Sequence, residues 1–242
     1  MFKYFLLVIL AFSLLNCAPP LDPYSTGASS QYGSYSNEAV EYFLQIGLCP
    51  EYGNCKDPRV RKWNSSIYIK LDGNYTDLDS LELDRIIVEL RQLTGLSISR
   101  VEQNANINIY FTERRFFNRY ISFYTDSNPQ DGAFEFQSDD SGIYYKGNIC
   151  IRSDLVDQTK RNHLLREELT QIIGLPQDSG FYFDSVFQED PTFKPTIYSN
   201  IDRQVIQILY DQRIKPGMTA QEVRDALSGS THQQVAISNI GN

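Results

Sequence analysis

The residues best equipped for chemistry lie in one stretch, Glu167-Glu168-Leu169-Thr170-Gln171-Ile172-Ile173-Gly174-Leu175-Pro176-Gln177-Asp178. Helical spacing puts Glu167 and Gln171 one turn apart on the same face. Gly174 lets the chain leave the helix in a left-handed conformation, and Pro176 prevents the helix from resuming. The chain then swings back and brings Gln177 toward the same point. Three chemistries are open to this set. The Gln171 amide can donate to Glu167, with Gln177 adding a donor, in a metal-free hydrogen-bonded cluster. Glu168 with Glu167 or Asp178 can supply an acid and a base, as in enzymes that flank a glycosidic bond with two carboxylates. Glu167, Glu168 and Asp178 also offer the oxygen ligands that calcium takes. Against all three stands a plain solvated helix face.

The rest of the chain narrows the choice by what it lacks. Its 242 residues include 30 acids against 22 bases, a formal charge of −8. That balance argues against nucleic acid as a partner, because phosphate binding needs a basic surplus. There are two histidines, which excludes a His-rich metal site. His163 lies a full turn before Glu167 and reads as an ordinary helix histidine; His232 reads as a solvated residue of a polar tail. No nucleophile elbow, phosphate loop or Cys-His pair is present. The run Arg114-Arg115-Phe116-Phe117 through Tyr124 fits a groove lining and a packed lid equally well.

These residues need elements to position them. Helical spacing over 37–48 with a Ser or Asn cap predicts a first helix. Ile67, Ile69 and Leu71 alternate as a strand. Residues 77–93 form a long amphipathic helix with Leu81, Ile86, Ile87, Leu90 and Leu93 on its apolar side, stopped at Gly95. Short strands follow at 98–101 and 106–111, then a weak edge strand at 133–137 and a longer one at 143–151. A helix capped by Ser153 or Asp154 runs to about Ile173 and carries the chemical residues. Residues 180–195 are irregular, and helices follow at 201–210 and 219–227. The order predicts an α+β domain, a twisted mixed sheet backed by two helices with a mostly irregular and helical C-terminal third.

The N-terminus reads as an address. Lys3 precedes a 12-residue apolar run at 4–15, too short to span a bilayer. It ends in Leu14-Leu15-Asn16-Cys17, which resembles a bacterial lipobox with Asn16 where a smaller residue is usual. The resemblance implies a signal segment at 1–17, lipidation of Cys17 and an anchored protein in the bacterial cell envelope. Ala18 in place of an Asp favours the outer membrane, facing the periplasm; the alternative is ordinary secretion. Residues 18–36, rich in Ser, Pro and Tyr without Lys or Arg, read as a flexible tether. One domain then spans 37–228, with a polar tail at 229–242. Cys49 and Cys55 enclose Pro and Gly and suit a small disulfide loop, which leaves Cys150 as a buried thiol on a strand.

The stretch 167–178 resembles the metzincin pattern His-Glu-x-x-His-x-x-Gly-x-x-His followed by Asp. The three ligand positions fall on Glu167, Gln171 and Gln177, the catalytic glutamate on Glu168, the glycine on Gly174 and the trailing acid on Asp178. The methionine turn has its counterpart in Asp184-Ser185-Val186-Phe187, with Phe187 in the place of Met. Ser199-Asn200-Ile201-Asp202, continuing to Leu209-Tyr210, matches the segment beyond it. From about Trp63 onward the chain resembles a degenerate metzincin, similar to an uncharacterised family of secreted bacterial proteins with Glu-Glu-x-x-Gln in this helix. The resemblance implies a zincin-like fold without its zinc ligands and without a cofactor. It implies a non-catalytic module that binds an envelope protein, peptide or glycan in the ancestral cleft.

Overall fold

The computed structural model describes residues 32–49, 55–125, 127 and 129–229. The expected signal segment, Cys17, most of the tether, the tail from 230 and His232 lie outside them. Among the described residues no helix is long and apolar enough to cross a membrane.

The order of elements follows the hydrophobic periodicity. Helix α1 (Asn37–Ile46) is capped by Ser36, whose side chain accepts from the Ala39 amide. Strands β1 (Lys62–Trp63) and β2 (Ile67–Gly73) precede helix α2 (Asp77–Thr94), which ends at Gly95 with φ 71°. Strands β3 (Ile98–Arg100), β4 (Ile107–Thr112), β5 (Gly132–Ser138) and β6 (Ile143–Arg152) lead into helix α3 (Gln158–Ile172). Helices α4 (Asn200–Tyr210) and α5 (Ala220–Ser228) close the domain.

Six strands make one sheet in the order β1-β6-β4-β2-β3, with β5 paired to β6 on the side that β1 also occupies. All pairings are parallel except β5–β6, which is antiparallel. This is a largely parallel mixed sheet, and the expected α+β architecture with α2 and α3 behind it is what the molecule shows. Ile107, Ile109, Ile149 and Phe134 belong to the main apolar core with the helices. Ala133 and Cys150, paired across β5 and β6, instead meet Phe117, Ile121 and Tyr124 in a second small cluster. The Arg-aromatic run is therefore a packed lid, with a short 3-10 helix over Arg114–Arg119. Cys49 and Cys55 are joined as a disulfide, and Cys150 is a buried thiol.

Three local expectations need correction. Helix α3 is capped by Asp157, four residues after Ser153, because Asp154 is engaged by Arg152 and the Ser153 carbonyl accepts from Arg161. Leu81 is exposed, and the buried face of α2 carries Asp79 and Glu82 instead. The end of the tether belongs to the globule. Tyr32 is buried, the Tyr35 hydroxyl donates to Asp211, and the Ser36 amide donates to Gln204.

Candidate functional site

Helix α3 is held by ion pairs that bury charge on both sides. Arg161 forms a two-pronged pair with Asp79 of α2, and Arg166 bonds Glu82 at 2.8 Å and Glu89 at 3.1 Å. Asp79 also closes the capping box of α2 with Thr76. Burial opposes its ionisation, but the bonds from Arg161, Thr76 and Gln158 win and hold it below the usual carboxylate range. With α2 and α3 locked this way, the opposite side of α3 faces a cleft of about 240 Å³.

That cleft lies between α3, the first residues of β5 and the irregular segment at 188–194. Glu167, Glu168, Gln171 and Asp178 all line it. Their relative exposures of 9%, 6% and 2% for Glu167, Glu168 and Gln171 rule out a solvated helix face. The Gln171 amide nitrogen donates to Asp178 Oδ1 at 2.6 Å. This differs from the bond to Glu167 expected from helical spacing. Gln177, the third aligned position, is not among the lining residues; its backbone N–H donates to the Ile46 carbonyl and ties this strand of chain to α1. Asp178, one residue later, meets Gln171 instead. Gly174 makes this path possible with φ 129° at the foot of α3.

Glu168 owes its seat to β5. A side chain at Gly132 would occupy the space taken by the Glu168 carboxylate, so the strand edge and the carboxyl group lie directly against each other. The residue before it, Asp131, receives hydrogen bonds from Lys160, Arg114 and Arg152. Burial raises its pKa, but the three cations outweigh that and bring it to about 2. Lys194 on the facing segment is bonded to Asp157. The cations around the cleft are thus already matched to acids at its rim.

His163, Gln188, Glu189 and Gly132 are among the lining residues that had no reading in the sequence as site residues. His163 Nδ1 donates to the Pro195 carbonyl at 3.0 Å, which turns Nε2 toward Glu167 Oε2 at 3.4 Å. Burial, with Lys194 and Lys160 adding to it, lowers the pKa of this imidazole against the bond to Pro195. Its i,i+4 spacing to Glu167 was the one local signal for it. Gln188, Glu189 and Gly132 arrive from distant segments and left none. Glu189 matters electrostatically, because burial first and Glu189 second push Asp178 up to about 6.

The turn at residues 184–187 is built as tightly. Ser185 Oγ donates to Asp202 Oδ1 at 2.7 Å, and the Val186 amide donates to Asp202 Oδ2. Phe187 is fully buried, and its carbonyl accepts from the Ser179 amide. Burial lifts Asp202 to about 6 despite the donors around it. Ser185, Phe187 and Asp202 thus join the segment after the cleft to α4.

Folding shifts Asp178 and Asp202 toward the protonated form relative to the unfolded chain. A raised carboxyl pKa contributes stability fully present below the unfolded value near 3.8 and lost as pH rises through about 6. Asp178→Asn keeps an acceptor for Gln171 and removes the charge repelled by Glu189. It is expected to raise the Tm at pH 7.5 by a few degrees, on the order of ~2 kcal/mol, and to change it little at pH 4. Thermal melts of both proteins at the two pH values check this; an equal shift at both would contradict the electrostatic cause.

Zinc does not fit this donor set. The aligned positions supply one carboxylate and two amides, and the Gln171 amide turns its N–H toward Asp178. Among the described residues no group of three or more His, Cys, Asp or Glu side chains is placed to hold a metal ion. Calcium through Glu167, Glu168 and Asp178 meets the same geometric finding.

Residues 36–229 match the family described as "Protein of unknown function (DUF2927)". No curated protein matches the chain. Among solved structures, two of myroilysin are similar at 12% identity. One has a TM-score of 0.42 and covers 70% of this chain and 93% of the other. The second has a TM-score of 0.41 and covers 74% and 97%.

Proposed function

We propose that this chain, which belongs to the DUF2927 family, is a non-catalytic binding module on a zincin-like scaffold, held to the outer membrane by a lipid on Cys17. Its cleft takes an extended peptide segment carrying a cationic side chain. The observation that carries this reading is the bond from Gln171 to Asp178. A side chain at a ligand position has become a donor inside a polar network, and a network that satisfies itself needs no metal to exist.

The ligand class follows from the walls. Strand β5 pairs only with β6 among the described residues, and an edge of this kind recruits extended peptide through main-chain hydrogen bonds. Glu167, Glu168, Asp178 and Glu189 line the cleft beside that edge, while Lys160 and Lys194 are engaged by Asp131 and Asp157. A Lys or Arg side chain entering there meets a wall on which acids outnumber bases.

The test uses acetylated, amidated Ala-Ala-Lys-Ala-Ala and its Glu counterpart, titrated by calorimetry. The Lys peptide is expected to bind at least about tenfold more tightly, a difference of ~1.4 kcal/mol. Glu168→Gln should weaken it and higher salt should weaken it further. Equal affinity for both peptides would overturn the ligand class. The elevated Asp178 near Glu168 favours a second reading, an acid–base hydrolase working without zinc. Cleavage of peptide or peptidoglycan by the wild type, abolished in Glu168→Gln, would establish that reading in place of the first.

A further inference from the structure

A second recess of about 180 Å³ shares no residue with the cleft. It lies between the end of α1, the approach to β1 and the β5–β6 hairpin, and Leu48, Arg59, Arg61, Phe136, Tyr144 and Pro176 are among its walls. Its rim at Cys49 is fixed by the disulfide to Cys55.

Two groups here have bonding capacity that the fold does not use. Tyr144 is 1% exposed, and its hydroxyl makes no hydrogen bond among the described residues. Burial pushes the phenol up, against the Arg61 guanidinium beside it, so the hydroxyl keeps its proton and remains a donor. A buried donor without an acceptor is costly and marks a place where something is missing. Among the described residues the Arg61 side chain makes two long bonds, both from Nη1 at 3.4 Å, to the carbonyls of Leu48 and Arg59. Among the described residues no carboxylate pairs with it, whereas neighbouring Arg59 is bonded to Asp57 and to the Gly217 carbonyl. Among the described residues no acidic side chain lines the recess, although acids outnumber bases in the chain.

We propose that this recess binds a small organic carboxylate. One carboxylate presents the acceptors that one guanidinium and one hydroxyl require. The rings of Phe136 and Tyr144, with Pro176 and Leu48, provide apolar surface for the body attached to it. Phosphate matches less well, because its remaining oxygens would face those walls without donors. The carboxylate can come from a free small molecule or from the C-terminus of a peptide.

Thermal melts of the wild type with benzoate, benzamide, inorganic phosphate and acetyl-Ala-Ala-Phe bearing a free C-terminus test this. Benzoate or the peptide is expected to give a saturable rise in Tm, about 5 °C at one hundred times Kd, and which of the two does so identifies the source. Tyr144→Phe and Arg61→Gln should each abolish that rise. Without ligand, Tyr144→Phe should melt at the same temperature or higher, because it removes only an unpartnered hydroxyl. The proposal is overturned if benzamide or phosphate shifts the Tm as much as the carboxylates, or if neither carboxylate shifts it. It is also overturned if the rise survives in both variants, or if Tyr144→Phe lowers the ligand-free Tm.

Discussion

Gly174→Ala is expected to destabilise the domain by about 3–5 kcal/mol, a fall in Tm on the order of 10 °C. Two costs combine. The backbone there has φ 129°, which side-chain-bearing residues rarely adopt, and the added methyl would overlap the Arg61 carbonyl and press to 3.1 Å from Leu209 Cδ2. Both obstacles are fixed: one is main chain leading into β1, the other a core side chain of α4. Gly95→Ala provides the comparison. It shares a positive φ of 71° but has nothing within 4 Å of the new Cβ, so it should cost only about 1–2 kcal/mol. Urea melts of the two variants separate backbone strain from collision. Equal costs would mean that the chain after α3 does not pass against Arg61, and the route to Asp178 would then be wrong.

Asp79→Ala should be as damaging, at about 3–5 kcal/mol, through a different mechanism. Arg161 is 3% exposed and relies on Asp79 for both prongs of its ion pair. Truncating the acid leaves a buried guanidinium with only the Ser153 carbonyl and the face of Phe111, and it removes the capping box of α2. The pH dependence has the opposite sign from that of Asp178. A depressed carboxyl pKa contributes stability that is present above the unfolded value near 3.8 and lost as pH falls through the lower folded value. The variant's deficit should therefore be full at pH 6 and shrink as the solution is acidified below pH 4. Denaturant melts at the two pH values measure it, and a deficit independent of pH would point to lost packing.

Where apolar residues alone set the pattern, the sequence was a good guide. Alternation at Ile107, Ile109 and Phe111 fixed β4, and Gly95 fixed the end of α2. Leu81 misled because α2 turns Asp79 and Glu82 inward to meet Arg161 and Arg166. A hydrophobic period cannot register charges that are buried because they are paired across 82 and 84 residues of chain. The cap of α3 was ambiguous for a related reason. Ser153, Asp154 and Asp157 are all good caps, and side chains from elsewhere engage the first two. In the site, helical spacing placed Glu167, Glu168 and Gln171 together. It could not decide between Gln177 and Asp178, since that depends on the path after Gly174 and on the bond from Gln177 to Ile46. His163 was half legible through its spacing to Glu167, but the Pro195 carbonyl that orients its ring comes from 32 residues away.

In the proposed function the Gln171 side chain is a donor to Asp178, at a position to which the metzincin-like sequence pattern assigns a ligand. Zinc titration by calorimetry, on protein purified without chelator, tests this most directly when run beside the variant Glu167→His/Gln171→His/Asp178→His. The wild type should give no saturable isotherm and carry no zinc by elemental analysis, while the folded variant takes up one zinc per chain with micromolar or tighter affinity. One equivalent of tightly held zinc in the wild type, lost in Gln171→Ala, would contradict the account.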